Sequence, residues 1–425
     1  MSYSAKQFHL VSVTQQLTSY VNHGLHEKAL ALFHQMQTSL FISLDAIVYP
    51  LALKSCAALR RIKLGSSIHG HCYKTRLLFN PFVASALVGM YGKCGSLLLA
   101  RTLFDEIPQR NEVVWNAMIA LYCRSGLVDD AQRLFNAMDV LPSRSSFHAM
   151  IAAFPAEDDG PLKAISYYRE MRRRELNPNL ITLLALLPPC IGLSTLRLIR
   201  EIHGFSLRNG MDSNQQLRSG LVEAYGRTGC LSSAGCLFWS MKDKDVVAWS
   251  SMISASALHG GATSALDLFR QMELSGVRPD AICLLAVLKA CSHAGLATDA
   301  LDCFYRIQRL YKVQPNSDHY SCLIDVLSRA GMLYEAHKVI SEMPVKATAK
   351  AWGALLGACR TYEAVELAEI AGRALLELEP QNHGNYVSLG KVLSSVGRYE
   401  EAQRLRGKME QKCIKIGAGS TWLAK

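Results

Sequence analysis

The sequence predicts an all-α solenoid of helix-turn-helix repeats, and three observations predict it. A glycine followed five residues later by an alanine that opens a small apolar block recurs along the chain. The residues before each such glycine carry an apolar stripe of their own. Of the 425 residues, 50% are hydrophobic and 19% are charged, the balance of a folded chain.

The first observation defines a hairpin. Gly24 leads to Ala29 in ALALF, Gly95 to Ala100 in ARTLF, Gly126 to Ala131 in AQRLF and Gly229 to Ala234 in AGCLF. Gly260 leads to Ala265, Gly295 to Ala300, Gly331 to Ala336 and Gly397 to Ala402. Gly160 leads to Ala164 in AISYY, one residue tighter. The glycine is expected to end a first helix in the left-handed conformation. The second helix then places Ala and Phe four residues apart on one face. Small Ala lets helices approach, and Phe fills the space toward the next repeat.

The second observation supplies the first helix: LVGMYGKCG, MIALYCRSG, LVEAYGRTG, MISASALHG and LIDVLSRAG. Successive alanines are 71, 31, 33, 70, 31, 35, 36 and 66 residues apart. Residues 46–80 and 180–214 fill two of the wide intervals as degenerate units with an apolar first helix and no Gly–Ala signal. Pro178–Asn179, Pro279–Asp280 and Pro315–Asn316 close units, where Pro is expected to stop the second helix and set the turn.

Composition narrows the function. The net charge is +11 and is spread along the chain, apart from the run Arg172, Arg173 and Arg174. Such a balance suits a long polyanion. The 13 cysteines include no C-x-x-C pair. Cys190, Cys291 and Cys322 sit at apolar positions as small core residues, so a reducing compartment is expected. The longest apolar run, 181–196, has 16 residues and contains Pro188 and Pro189, too short and broken for a membrane span. The start is free of acid up to Glu27, but Lys6 alone is basic there, so a targeting signal is weak or missing.

Units of 31, 35 and 36 residues in rotation, with VVWNAMIALYCRSG and the closing VRPD, resemble the pentatricopeptide repeat family of land plants, in its P-L-S subclass. The resemblance implies a right-handed superhelical array. We place units at 10–45, 46–80, 81–111, 112–143, 144–179, 180–214, 215–245, 246–280, 281–316 and 317–348, after a short segment 1–9. AWGALLGACR and the following LLELEPQNHGNYVSLGKVLSSVGRYEEA resemble two E-type motifs, placed at 349–382 and 383–412, and GSTWLAK in the tail 413–425 resembles their ending. The second E-type motif is tetratricopeptide-like, a kind of unit that binds protein. The deaminase-like DYW domain of some relatives is not among the motifs read here.

The family reads one RNA base per repeat. The resemblance implies that the fifth and last residues of each unit are the readers. Thr14 with Asp45, Ser219 with Asp245 and Ser250 with Asp280 resemble guanine readers. Ser85 with Asn111 resembles an adenine reader and Asn116 with Ser143 a cytosine reader. His148 with Asn179 departs from the usual pairs, and Ser321 closes with Thr348 or a neighbour, its base open. Pro50 with Asn80, Leu184 with Asn214 and Leu285 with Asn316 are L-type pairs whose fifth residue cannot hydrogen-bond. Val11, Ile47, Val113, Ile181, Val247 and Ile282, in second position, are implied to sandwich bases. The plain alternatives are capping and turn residues for the readers, and inter-repeat packing for the second positions.

Enzymatic patterns are missing. No histidine is followed by x-Glu, as a zinc deaminase requires, and no phosphate loop or nucleophile elbow occurs. His69 and His71 near Cys72 are read as lining a helix, and Trp352 and Trp422 as core anchors. No cofactor is expected. The expectation is a monomeric, membrane-free organellar factor for C-to-U editing, mitochondrial or alternatively chloroplastic. It would bind single-stranded RNA and recruit a DYW-type deaminase and other editing factors in trans. Splicing, processing or stability without editing is the first rival. A protein-binding scaffold, which predicts a uniform repeat of about 34 residues, is the second.

Overall fold

The structure, a computed structural model, describes residues 3–38, 46–154 and 159–411, with side chains from Ser12 onward. The described residues form 24 α-helices and one short 3-10 turn, Leu77–Phe79, with no strand among them. Backbone contacts divide the chain into two compact units, Met1–Leu193 and Ser194–Lys425.

In the first unit, helices of the inner row are α1 (Tyr3–Asn22), α3 (Val48–Ala58), α5 (Pro81–Lys93), α7 (Glu112–Arg124), α9 (Arg144–Ala153) and α11 (Leu180–Gly192). Between them run α2 (His26–Thr38), α4 (Ile62–Lys74), α6 (Leu97–Glu106), α8 (Val128–Asn136) and α10 (Gly160–Arg173). The second unit begins with α12 (Leu196–Arg208). Its inner row is α13 (Gln215–Arg227), α15 (Val246–Leu258), α17 (Ala281–Ala294), α19 (Ser317–Arg329), α21 (Ala349–Thr361) and α23 (His383–Ser395). Alternating with these are α14 (Leu231–Ser240), α16 (Ala262–Leu274), α18 (Ala297–Tyr311), α20 (Leu333–Glu342), α22 (Val365–Leu378) and α24 (Tyr399–Gln411). In each unit, consecutive inner helices pack on one another, and each second helix packs on the inner helices before and after it. This is an all-α repeat solenoid, in which every repeat completes its core with its neighbour.

The glycines do what their spacing predicts. Gly24, Gly95, Gly126, Gly229, Gly260, Gly295, Gly331 and Gly397 have φ between 69° and 84°. The alanines five residues on, from Ala29 to Ala336, are fully buried, and Ala402 is 5% exposed. Phe33, Phe104, Phe135, Phe238, Phe269 and Phe304 are buried beside them. Gly160 is different: it is the first residue of α10 and not a left-handed helix end. The tighter spacing to Ala164 reflects that shifted start.

The degenerate units make the same turn without glycine. Arg60, Ser194 and Glu363 carry positive φ of 52°, 50° and 54° at the corresponding places. Five residues on stand Gly65, Ile199 and Ala368, all buried. A non-glycine residue in this conformation costs about 1–2 kcal/mol, which the packed neighbours offset.

Unit length is set by the second helix. In 81–111, 112–143, 215–245 and 317–348 that helix has 9 or 10 residues. In 46–80, 144–179, 180–214, 246–280 and 281–316 it has 13 to 15. The difference is about one helical turn. The long helices stop at left-handed Arg76, Glu175, Gly210, Gly276 and Lys312. Pro178, Pro279 and Pro315 lie three residues beyond Glu175, Gly276 and Lys312, so they do not stop the helix as expected. They hold the connection extended before the next unit. Pro188 and Pro189 lie inside α11, the apolar first helix of 180–214, which runs through both and ends at Gly192.

Inner helices approach closely. A Cβ on Gly226 would lie 2.5 Å from Ala255 Cβ on the neighbouring α15. Gly226→Ala is expected to destabilise the fold, because overpacking costs about 1–3 kcal/mol against about 1 kcal/mol gained in helix propensity. Thermal unfolding measures it, and a raised melting temperature would show that α15 yields freely.

Cys190, Cys291 and Cys322 are buried as read, and the described cysteines are all free thiols. Burial pushes the Cys291 thiol up to about 12, which keeps it protonated and inert. No described helix is long and apolar enough to cross a membrane.

Candidate nucleic-acid interface

The closing residues take their positions from helix capping. A helix start leaves backbone N–H groups without partners, and a side-chain oxygen just before it accepts from one. Asn80 Oδ1 accepts from Phe82 N at 3.0 Å, and Asn111 Oδ1 from Val114 N at 3.2 Å. Ser143 Oγ accepts from Ser145 N, Asn179 Oδ1 from Thr182 N and Oγ1, and Asn214 Oδ1 from Leu217 N. Asp245 Oδ1 accepts from Ala248 N at 2.8 Å, and Asp280 Oδ1 from Cys283 N at 2.9 Å. Asn316 and Thr348 cap α19 and α21 in the same way.

Capping and reading are therefore not alternatives. The cap occupies Oδ1 and fixes the side chain, and the other terminal atom differs by residue type. In Asn it is an amide that donates; in Asp it is a carboxylate oxygen that accepts.

The fifth residues lie on the inner helices, one turn in from these caps. Ser219 donates to Asp245 Oδ1 at 3.0 Å, and Ser321 and Thr348 hydroxyls are 2.9 Å apart. These bonds bring together fifth and last residues from the two ends of a unit, and they make Thr348 the partner of Ser321. Ser250 donates to Val247 O and Ser85 to Phe82 O. Ser219, Ser250 and Ser321 are buried, at 1%, 5% and 2% exposure, so they form a small floor beneath the closing side chain.

Asn116 donates to Glu112 Oε1 at 3.2 Å, while its Oδ1 is buried with no hydrogen-bond partner in the chain. His148 Nδ1 is likewise unpartnered, and burial lowers its pKa, favouring the neutral ring. Thr14 is half-buried on α1. Asp45 and the side chain of Val11 lie outside the described residues. Pro50, Leu184 and Leu285 are half-buried.

The second-position residues are not core. Ile47 is 64% exposed, Ile181 56%, Val247 48%, Ile282 61% and Val113 38%. Packing within the protein does not account for the exposed aliphatic residue that recurs beside the closing residue at these places; Ser145, Gln216 and Asp318 stand there in three other units. Sequence reasoning missed Phe82, which holds the same place in 81–111 and is 65% exposed.

Ser250 and Asp280 line one cleft of about 320 Å³ with Val247, Ile282 and Leu285. Arg227, Lys289 and His293 also line it. Sequence reading missed the pattern behind Arg227 and His293. Lys93, Arg124, Arg227, His293 and Arg329 each sit in the last turn of an inner helix, and all are exposed. That place favours cations through the helix dipole, and it is filled in five of the ten units, whereas α1, α3, α9, α11 and α15 carry no basic residue there.

His69 and His71 lie on α4. His69 Nδ1 is 2.9 Å from the Tyr91 hydroxyl, and His71 stacks on Tyr49. Among the described residues no three His, Cys, Asp or Glu side chains gather as a metal site. Trp352 is half-buried near His337, and Trp422 lies outside the described residues.

Capped inner helices, a polar closing residue per repeat, exposed aliphatic residues beside it and a row of basic groups define a modular ligand-binding repeat protein. Comparison with known proteins narrows this class. PPR repeat patterns match residues 17–39, 82–112, 109–139, 247–277 and 318–346, and the pentatricopeptide repeat domain matches 267–330. The E motif matches 362–424. A pentatricopeptide repeat-containing protein of Arabidopsis thaliana is 56% identical over 421 residues, covering 99% of this chain and 98% of the relative. The chain belongs to the pentatricopeptide repeat family. The chloroplastic Arabidopsis thaliana protein CRR2 is 33% identical over 406 residues, covering 94% of this chain. The maize protein PPR10, solved in complex with an 18-nt psaJ RNA element, shares the fold at 19% identity with a TM-score of 0.73 over 96% of this chain. The chain spans 57% of CRR2 and 62% of the PPR10 chain.

Proposed function

We propose that the chain binds single-stranded RNA one base per repeat and serves as an organellar specificity factor for C-to-U editing. It works as a monomeric binding array and not as an enzyme. The E motif recruits a DYW-type deaminase and other editing factors in trans. The observation that carries this reading is the cleft at Ser250 and Asp280. It joins a polar base-reading pair, exposed aliphatic side chains for stacking and three basic side chains for phosphate. The RNA in the PPR10 complex supports the ligand class, and the E motif supports editing over splicing or stability. The chloroplastic relative supports an organelle as the compartment; our reading is the mitochondrion, with the chloroplast as the alternative, and a fluorescent fusion decides between them.

The test is a competition assay with purified protein. Single-stranded RNA is expected to be retained and to be displaced by added salt, because bound phosphates release counterions. Duplex RNA of the same sequence is expected to compete about tenfold less well, since stacking on exposed side chains needs unpaired bases. Equal affinity for the duplex would overturn the groove, and no retention of RNA would favour a protein-binding scaffold.

A further inference from the structure

Ser321 and Thr348 form a closing pair whose base the repeat sequence leaves open, and their hydroxyl protons can be accounted for. Ser321 Oγ donates to Ser317 O at 2.7 Å. Its single proton is then used, so in the 2.9 Å contact with Thr348 the donor is Thr348. Thr348 Oγ1 in turn accepts from Ala351 N at 3.3 Å, at the start of α21. Both protons are committed inside the protein, and the pair offers lone pairs alone. Ser219 with Asp245 has the same character: the serine proton goes to the carboxylate and acceptors remain.

From this we infer that the repeat 317–348 is a guanine reader, and that α21, the helix that follows it, completes it. The inference rests on the RNA reading above. A small buried serine beneath the site leaves room for a purine. The Watson–Crick edge of guanine presents two adjacent donors, whereas that of adenine places its N1 acceptor against the lone pairs. Ala351 belongs to α21, so the proton arrangement at Thr348 depends on a helix outside the RNA-type repeats. The E motif is further joined to this repeat by Tyr362, whose hydroxyl donates to Arg329 O at 2.9 Å. A Cβ on Gly331 would lie 2.9 Å from the Tyr362 ring.

The test uses the full chain and RNAs that differ at the base facing this repeat or, as an internal control, at the base facing Ser250 and Asp280. Wild type is expected to prefer G over A by about fivefold, the lower end of base-edge discrimination. Thr348→Asn keeps an N-cap but adds an amide donor, and is expected to move the preference to A. Thr348→Val removes the hydroxyl and is expected to level G and A. Wild type binding G and A equally, or Thr348→Asn keeping G, with G still preferred at the control base, would overturn the inference alone. Loss of preference at the control base in wild type would overturn the RNA reading and the inference with it. Circular dichroism of each variant separates altered reading from altered folding.

Discussion

Deleting residues 349–425 is expected to abolish editing while leaving single-stranded RNA binding largely intact. The ten repeats placed from the sequence end at Thr348, and the basic residues from Lys93 to Arg329 all precede it. Residues 1–348 hold 35 Lys and Arg against 27 Asp and Glu, so +8 of the net +11 stays with the repeats and with it most of the long-range attraction for a polyanion. The deletion does expose the side of α19 and α20 on which α21 packs, and a solenoid needs its end capped. Folding is therefore checked by circular dichroism, and RNA binding is measured on the same preparation. Editing is then scored in a loss-of-function line complemented with each form. A folded truncation that still edits would remove the recruitment role. One that folds and loses all RNA binding would place the tail inside the binding site, beyond the single base assigned to Thr348.

Most of the fold was legible because glycine reports backbone conformation directly. Of the ten left-handed helix ends that carry glycine, eight were read from their spacing to alanine, and Gly210 and Gly276, which end second helices, were not. The turns at Arg60, Ser194 and Glu363 were hidden, because nothing in an arginine, serine or glutamate marks positive φ. Proline misled: three prolines were credited with stopping helices that a left-handed residue ends earlier. At the interface the residue types were legible and their surroundings were not. Asn111, Asp245 and Asp280 could be read as caps or as readers, and the hydrogen bonds show that the cap is what orients the remaining atom. That Ile47, Ile181 and Ile282 point away from the core could not be read from an aliphatic residue in an apolar helix. Phe82 escaped because the pattern sought was aliphatic. The basic row escaped because its members are spaced by a unit of changing length, and net charge averages over that spacing.

Asp280→Asn is expected to convert the preference at one RNA position from G to A. Asn and Asp are equally good N-caps, so the bond to Cys283 N persists and α17 keeps its start. What changes is the other terminal atom. A carboxylate oxygen accepts from the N1 and N2 donors of guanine; an amide nitrogen donates to N1 of adenine. By family analogy the array runs parallel to the RNA with its amino end at the 5′ side, one base per repeat. Its last repeat then faces the base about four nucleotides upstream of the edited cytidine. Counting back, Ser250 with Asp280 faces the base about six upstream and Ser219 with Asp245 about seven, both expected to be G. Asn116 with Ser143 is expected to face C about ten upstream, and Ser85 with Asn111 to face A about eleven upstream. A wrong base costs about 1 kcal/mol at the low end of base-edge readout, so reversing the preference changes the G-to-A affinity ratio by roughly thirtyfold. Loss of the negative charge raises affinity for every RNA alike, and the ratio cancels that effect. Binding of wild type and variant to RNAs that differ at this base alone gives both ratios. A variant that keeps the wild-type preference for G would leave Asp280 a capping residue and nothing more, and would shift the register along the whole array.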